Sequence, residues 1–228
     1  MIILHIETST TVCSVALSDN GQCIFSKANH EGMNHAALLS LFIAEALDLL
    51  NASGQKPDAV AVSSGPGSYT GLRIGVSTAK GLCYGYNIPL ISISTLEIMT
   101  VAAIKHTGKT DSIFCPMIDA RRMEVYTAFY ATDMKLIREI SADIIEKDSY
   151  NQTLSEKSVC FFGNGAEKCK TTIIHPNALF IDNINPLAEN MIELAENAYH
   201  NNQFVDVAYF EPFYLKEFHT TAKKLNIQ

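Results

Sequence analysis

The stretch from Asp58 to Gly85, DAVAVSSGPGSYTGLRIGVSTAKGLCYG, constrains the fold of this chain more than any other segment. A short apolar run at Ala59–Ser63 predicts a buried strand. A turn containing two glycines and a proline follows, and these residues are typical of a sharp change of direction. From Thr70 the sequence predicts a helix with many small residues. This order, a strand followed by a tight turn and a helix, indicates an α/β protein.

Small residues recur every four positions along the predicted helix, at Gly71, Gly75 and Ala79, so they share one helix face. A glycine costs about 1 kcal/mol relative to alanine inside a helix. The glycine face therefore predicts that another group approaches the helix backbone closely. That group could be a phosphate, the protein's own sheet or another protein. We interpret the space as room for helices, both the chain's own and a partner's.

Composition excludes several classes of protein. The chain has 228 residues, of which 47% are hydrophobic, and this is enough for one domain or two small ones. A net charge of −7 argues against an independent nucleic-acid binder, which usually has a basic face. We find neither a signal segment nor an apolar run near the roughly 18 residues of a membrane span. Six cysteines without CxxC spacing favour reduced thiols, although their even number leaves a disulfide framework possible. We expect a cytoplasmic protein.

The chain divides into two similar halves, which we place at 1–108 and 109–228, with a C-terminal helix or tail able to pack back on the first half. Each half opens with three strands and continues with helices and strands. The predicted strands are Ile2–Glu7, Val12–Leu17, Gln22–Lys27, Ala59–Ser63 and Pro89–Ser92, then Ser112–Asp119, Glu124–Tyr130, Lys135–Ile140 and Ser158–Phe162. The predicted helices cover His35–Leu50, Thr70 to about Gly85, Ser94 to about His106, and a segment that begins at Asn185 and Pro186.

Three stretches together resemble the bacterial TsaB family, also called YeaZ. They are ILHIETST at 3–10, SGPGSYTGLRIG at 64–75 and IDARRMEVY at 118–126. The middle motif is long and specific, and the order and spacing of all three match the family. GNGA at 163–166 and PFYLK at 212–216 fit as well, so the resemblance covers nearly the whole chain.

The resemblance implies the ASKHA fold, the duplicated α/β architecture of actin, hexokinase and Hsp70. It also implies a role in making N6-threonylcarbamoyladenosine next to the tRNA anticodon. In that pathway TsaB is a non-catalytic scaffold that dimerises with the catalytic subunit TsaD, and an ATPase, TsaE, joins them. The expected partners are therefore a TsaD-like subunit, a TsaE-like ATPase and, through the complex, tRNA. We expect no intrinsic cofactor, since ATP and metal would belong to the partner subunits.

The residues themselves argue against a nucleotide site. ASKHA enzymes bring glycine backbones and an Asp from each of two β-hairpins to the phosphates. Here the hairpins at Glu7–Thr11 and Asp119–Glu124 contain no glycine, and Glu7 replaces the first Asp. Bulky Arg121, Arg122 and Met123 occupy positions where a phosphate would need close backbone approach. We interpret Glu7 and Asp119 as carboxylates that bond local turns or pair with Arg121 or Arg122.

The glycine-containing turn at 64–69 has a structural and a phosphate-binding interpretation. A P-loop requires a lysine after its last glycine, and none is present here. A helix N-terminus can still bind an anion through free N–H groups. We favour the structural interpretation, in which Gly65 and Gly67 supply special backbone angles around Pro66, and Ser68 or Thr70 caps the helix.

Metal and nucleophile motifs are weak. His30 and His35 are five positions apart, whereas a zincin motif needs two histidines four apart on one helix face. The segment SGPGS at 64–68 is not the G-x-S-x-G elbow of hydrolases.

The tail contains Lys216, Lys223 and Lys224, which could touch tRNA phosphates or simply be solvated.

We therefore predict a non-catalytic docking subunit that forms a homodimer in isolation. The helix at 35–50 is apolar on more than one face, which indicates a second apolar contact. The predicted partner interface consists of Leu39, Phe42, Ile43, Ala46, Leu50, Thr70, Gly71, Arg73, Ile74, Gly75 and Thr78. The predicted structural signature loop consists of Ser64, Gly65, Pro66, Gly67, Ser68 and Tyr69. The alternatives are a stand-alone ASKHA small-molecule kinase or ATPase and, with less support, a zinc peptidase. We assign no catalytic, cofactor-binding or metal-binding residues.

Overall fold

Two five-stranded sheets form the framework of the chain in the computed structural model, which describes residues 1–32, 34–108 and 111–216. The tail beyond residue 216, with Lys223 and Lys224, lies outside the described residues. The strands are β1 Ile2–Glu7, β2 Cys13–Asp19, β3 Gln22–Asn29, β4 Ala59–Gly65, β5 Leu90–Ser94, β6 Ile113–Asp119, β7 Glu124–Tyr130, β8 Leu136–Ile144, β9 Val159–Phe162 and β10 Ala178–Ile181. The helices are α1 His35–Ala52, α2 Tyr69–Tyr86, α3 Thr95–Thr107, α4 Asn151–Glu156 and α5 Ile192–His200.

The two sheets have the same connectivity. The first has the order β3-β2-β1-β4-β5, and the second, taken from its other edge, has the order β8-β7-β6-β9-β10. In each sheet the first three strands in the chain pair antiparallel, and the two later strands add in parallel. Parallel addition requires a crossover, which α1 and α2 supply in the first half. The duplicated α/β fold of the ASKHA type is therefore confirmed.

The sequence prediction differs from the structure in the second half. It missed α4 and β10, which are only six and four residues long and carry no strong period. The helix predicted to start at Asn185 and Pro186 begins later, with a 3₁₀ turn at Ala188–Met191 that leads into α5. Leu187 is extended there, so Pro186 lies before the helix and not in its first turn.

The packing crosses the predicted division at residues 108 and 109. In α3, Leu96 and Met99 join Phe114 of the second sheet in one apolar cluster. In the opposite direction, Met191 and Ala195 join Ile3 of β1 in another. The division at 108 and 109 stays a prediction, and the core of each half includes helices from the other.

Helix α1 is a core helix of the first sheet. By length and mean hydropathy it is apolar enough to cross a membrane, although the sequence analysis found no run of that kind. Its inner side chains instead fill the cluster between α1, α2 and the first sheet. Five of them belong to the predicted partner interface, and this prediction is wrong for them because each residue is at most 6% exposed. They are Leu39, Phe42, Ile43, Ala46 and Leu50.

The glycine face of α2 packs on the chain's own first hairpin. A Cβ atom on Gly71 would overlap the carbonyl oxygen of Thr8, and one on Gly75 would overlap Thr8 Oγ1. The hydroxyl of Thr8 donates to the carbonyl oxygen of Gly71 at 2.8 Å. Assignment of Gly71 and Gly75 to a partner interface is therefore wrong, because the β1–β2 turn already occupies the space that they leave. The rest of the predicted interface, at Thr70, Arg73, Ile74 and Thr78, is exposed or half-buried.

Gly71→Ala is expected to destabilise the fold by about 2 kcal/mol, because the new methyl group meets a backbone carbonyl that cannot rotate away. Gly81→Ala is the matched control on the same helix, where a Cβ atom meets nothing within 4 Å. It is expected to stabilise the protein by about 0.5 to 1 kcal/mol through helix propensity. Urea unfolding of the two variants and the wild type measures both effects. Equal effects of the two substitutions would contradict the packing of α2 on Thr8.

Candidate functional site

The signature loop between β4 and α2 is bound to the first hairpin. Ser68 caps α2, since its hydroxyl accepts the Gly71 N–H at 3.2 Å, and this confirms one of the two predicted caps. Its own N–H donates to the carbonyl oxygen of Ser9 at 2.6 Å. Gly65 has a φ of +105°, a backbone angle that favours glycine. The hydrogen bonds of this loop are thus directed to the protein itself.

The carboxyl group of Glu7 closes the first hairpin from inside. Glu7 is fully buried, and its Oε1 accepts the N–H of Ser9 at 2.5 Å. Burial raises the pKa of Glu7 to about 7, while the neighbouring Ser9 and Ser63 oppose the shift. His35 of α1 holds the other end of the turn, because its Nε2 donates to the carbonyl oxygen of Thr10 at 2.7 Å. The prediction that Glu7 bonds its local turn is confirmed.

The second hairpin contains no glycine, and two arginines in its turn adopt left-handed backbone conformations. Arg121 and Arg122 have φ values of +70° and +48°. Asp119 accepts the N–H of Arg121 at 3.0 Å, which confirms the predicted bond to the local turn. The ion pair of Asp119 is made with Lys168, a cation that the sequence analysis did not identify. Lys168 also donates to the carbonyl oxygen of Glu124 at 2.7 Å, so it ties both ends of this turn together.

The carboxylates of both hairpins already have partners within the protein. The first carboxylate is buried in its own turn, and the second is held by Lys168 and by a backbone N–H. The glycine face next to the first hairpin is filled by Thr8. Within residues 1–32, 34–108 and 111–216, no group of three or more His, Cys, Asp or Glu side chains could hold a metal ion.

The C-terminal segment Val205–Lys216, which we call the strap, crosses from β5 to the second hairpin. It starts with one antiparallel bridge between Val205 and Leu90. Further along, the N–H of Phe213 donates to the carbonyl oxygen of Ser64 at 2.7 Å. It ends where Lys216 pairs with Glu124 at 2.5 Å.

Side chains of α2 also hold the strap. The ammonium group of Lys80 donates to the carbonyl oxygens of Ala208 and Phe210, both at 3.0 Å. The rings of Tyr69 and Tyr214 lie 4.9 Å apart, and the Arg73 guanidinium lies 4.6 Å from the centre of the Tyr69 ring. The PFYLK motif signals this segment in the sequence, but nothing local in the motif indicates where it docks.

The surface of α1 and α2 that faces away from the sheet is partly apolar. Leu41 and Leu49 of α1 are 56% and 46% exposed, and Tyr84 of α2 is 86% exposed. Gly81 and Gly85 of α2 are exposed as well, and a Cβ atom on either would meet nothing within 4 Å. We call these five residues the outer face of α1 and α2. None of the five belongs to the predicted partner interface, because periodicity alone does not show which side of a helix is exposed.

Comparison with known proteins agrees with this fold. A sequence model of the family described as TsaD, tRNA N6-adenosine threonylcarbamoyltransferase, matches residues 29–217. The chain is 30% identical over 224 residues to the tRNA threonylcarbamoyladenosine biosynthesis protein TsaB of Escherichia coli strain K12, with 95% of each chain covered. It is 34% identical over 143 residues to the TsaB protein of Bacillus subtilis strain 168, with 63% of this chain and 61% of that protein covered.

A solved structure gives the same result. YeaZ from Pseudomonas aeruginosa superposes with a TM-score of 0.80 at 26% sequence identity, covering 94% of this chain and 99% of that one. The two sheets of equal connectivity define an ASKHA-type fold, and the family match relates the chain to the tRNA threonylcarbamoyltransferases. Within that class, the chain belongs to the TsaB (YeaZ) family. The resemblance noted in the sequence is confirmed.

Lys80→Met is expected to loosen the strap, because it removes two charge-assisted hydrogen bonds to strap carbonyl oxygens. Amide hydrogen exchange at Phe213 should become about tenfold faster, which corresponds to the loss of roughly one such bond. Lys56→Met, at an exposed position in the loop before β4, is the control and should leave this rate unchanged. An unchanged Phe213 rate in Lys80→Met would show that Lys80 does not anchor the strap.

Proposed function

We propose that this chain is a non-catalytic docking subunit in the biosynthesis of tRNA threonylcarbamoyladenosine. It binds a TsaD-like catalytic subunit and, with it, a TsaE-like ATPase. The assembly supports transfer of threonylcarbamoyl to N6 of the tRNA adenosine next to the anticodon. In isolation the chain forms a homodimer, and it works in the cytoplasm. The names of the TsaB relatives support the pathway.

The closed hairpins support the non-catalytic part of the proposal. A phosphate would need backbone access at both hairpins, and side chains of the protein itself fill or bond these positions. Thr8 fills the glycine face of α2, Glu7 is buried, and Asp119 is paired with Lys168. ATP and metal would therefore belong to the partner subunits. Saturable binding of ATP with Mg²⁺ to the isolated chain would instead favour the kinase or ATPase alternative.

The outer face of α1 and α2 carries the docking part of the proposal. Leu41, Leu49 and Tyr84 expose large apolar side chains beside a helix surface left open by Gly81 and Gly85. Open glycines allow another helix to approach the α2 backbone closely. Arg73 and Thr70, at the exposed start of the same helix, extend the face towards the signature loop. Two such helix pairs meeting each other would bury about 1,600 Å², the size of a standard protein–protein interface.

The same outer face is the reason why we expect the chain to form a homodimer in isolation. Exposed apolar residues on a pair of adjacent helices favour association when no other partner covers them. The partner and the second copy would then compete for the outer face of α1 and α2. This makes self-association a convenient measure of the surface when the partner is absent.

Leu41→Glu and Gly81→Leu are expected to weaken both self-association and binding to a TsaD-family protein from the same organism by at least about tenfold. The first buries a charge at the interface, and the second fills the open surface of α2. Sedimentation velocity measures self-association, and surface plasmon resonance measures partner binding. Leu39→Glu is unsuitable for this test because Leu39 is 1% exposed and its replacement would unfold the core.

Ile174→Glu is the matched control, since Ile174 is a large apolar residue in the second half that is 79% exposed. It should leave both associations unchanged. The docking surface would be wrongly placed if Leu41→Glu and Gly81→Leu remained folded and bound the partner as the wild type does. Loss of binding in the Ile174→Glu control would move the interface to the second half.

A further inference from the structure

Glu7 leaves one carboxyl oxygen without a hydrogen bond inside the first half. Its Oε1 accepts the Ser9 N–H, but its Oε2 has no partner of good geometry among the described residues. The hydroxyl oxygens of Ser9 and Ser63 are unpartnered in the same way, and all three residues are 0% exposed. Both hydroxyls nevertheless lie close enough to Glu7 to influence its pKa. Among the described residues no group donates to Oε2 in good geometry, and a fully buried carboxyl oxygen without a donor favours the protonated acid over the carboxylate.

The titratable groups around Glu7 do not supply a positive charge. His5, two positions earlier on β1, is fully buried, and burial lowers its pKa to about 3, so it is neutral. Cys13 of β2 has a pKa raised to about 11 by burial and by Glu7 itself, so it is a neutral thiol. His35 of α1 is turned to the carbonyl oxygen of Thr10. No described Lys or Arg contributes to the pKa of Glu7. An ionised carboxylate would thus be buried without a counter-ion, which is costly.

We propose that Glu7 is held as a neutral carboxylic acid from acidic pH up to near neutrality, with its proton on Oε2 on the side of the Ser63 hydroxyl oxygen. The proton is taken from solvent, and its loss leaves a buried carboxylate that Ser9 and Ser63 alone must stabilise. The protonated carboxyl group then links β1, which carries Glu7, to β4, which carries Ser63. This assignment goes beyond the proposed docking function and does not depend on it.

The first hairpin, which contains Glu7, packs directly against α2. Thr8 follows Glu7 in the chain, fills the space at Gly71 and Gly75, and donates to the carbonyl oxygen of Gly71. A movement of the turn that brought the Glu7 carboxylate towards water would therefore shift Thr8 against the α2 backbone. Ionisation of the Glu7 carboxyl group is coupled in this way to the packing of α2 on the first hairpin.

The direction of the pH dependence follows from the proton balance. The folded protein keeps the Glu7 proton up to a pH of about 7, whereas the unfolded chain releases it near 4.5. The contribution of this proton to stability is complete below the unfolded pKa and is lost as the pH rises through the folded one. Buried His5 has the opposite effect, since its contribution is lost as the pH falls from 6.5 towards about 3. Comparison with a Glu7 variant cancels the His5 contribution.

Glu7→Gln is the test variant, because the amide can accept the Ser9 N–H and donate to Ser63 as the neutral acid does. Unfolding equilibria of wild type and Glu7→Gln are measured between about pH 5 and about pH 9. The unfolding constant of the wild type should rise relative to that of Glu7→Gln by about a hundredfold across this range. Glu156→Gln, at an exposed position in α4, is the control and should follow the wild type.

Carbon-13 NMR of the Glu7 side-chain carboxyl in the wild type gives a second measurement that does not depend on a variant folding. The expected result is a protonated carboxyl at about pH 5.5 that titrates near neutrality. A carboxylate shift throughout the range overturns the proposal. A ratio of wild-type to Glu7→Gln unfolding constants that does not change with pH also overturns it.

Discussion

The contact between Thr8 and the glycine face of α2 is the constraint on which the rest of the structure depends. A side chain at Gly71 or Gly75 would overlap Thr8, so α2 can pack on the first hairpin only because both positions are glycine. In this position of α2, the N–H of Ser68 donates to the carbonyl oxygen of Ser9, which binds the signature loop to the hairpin. With the loop fixed, Ser64 offers its carbonyl oxygen to Phe213, and the strap can dock.

The glycines of α2 form two groups, one that packs on the first hairpin and one that is open on the opposite side. The inner glycines, Gly71 and Gly75, leave space that Thr8 of the chain's own turn occupies. The outer glycines, Gly81 and Gly85, meet nothing in this chain and remain open to another molecule. One helix thus packs on the first hairpin with one face and leaves its opposite face open. This division is the physical basis of the proposed non-catalytic role.

The sequence predicted the architecture well because its signals are local. Strands β1 to β9, helices α1 to α3 and the Ser68 cap follow from hydrophobic period and turn chemistry within a few residues. Seven of the eleven residues predicted for the partner interface are buried, because period alone does not distinguish the helix side that meets the sheet from the side that meets solvent. Leu39 and Leu41 look alike in the sequence, yet they are 1% and 56% exposed. The strap and the ion pair of Asp119 with Lys168 join residues far apart in the chain, and no local pattern encodes such contacts.

Hydrogen exchange of the chain with and without a TsaD-family protein from the same organism tests the central claim most directly. The account predicts that binding slows exchange in α1 and α2, most strongly around Leu41, Leu49 and Gly81, whose outward surfaces are open in the free chain. The hairpin at 119–124 and the second sheet should change little. Protection confined to that hairpin or that sheet, with α1 and α2 unchanged, would contradict docking through the outer face of α1 and α2.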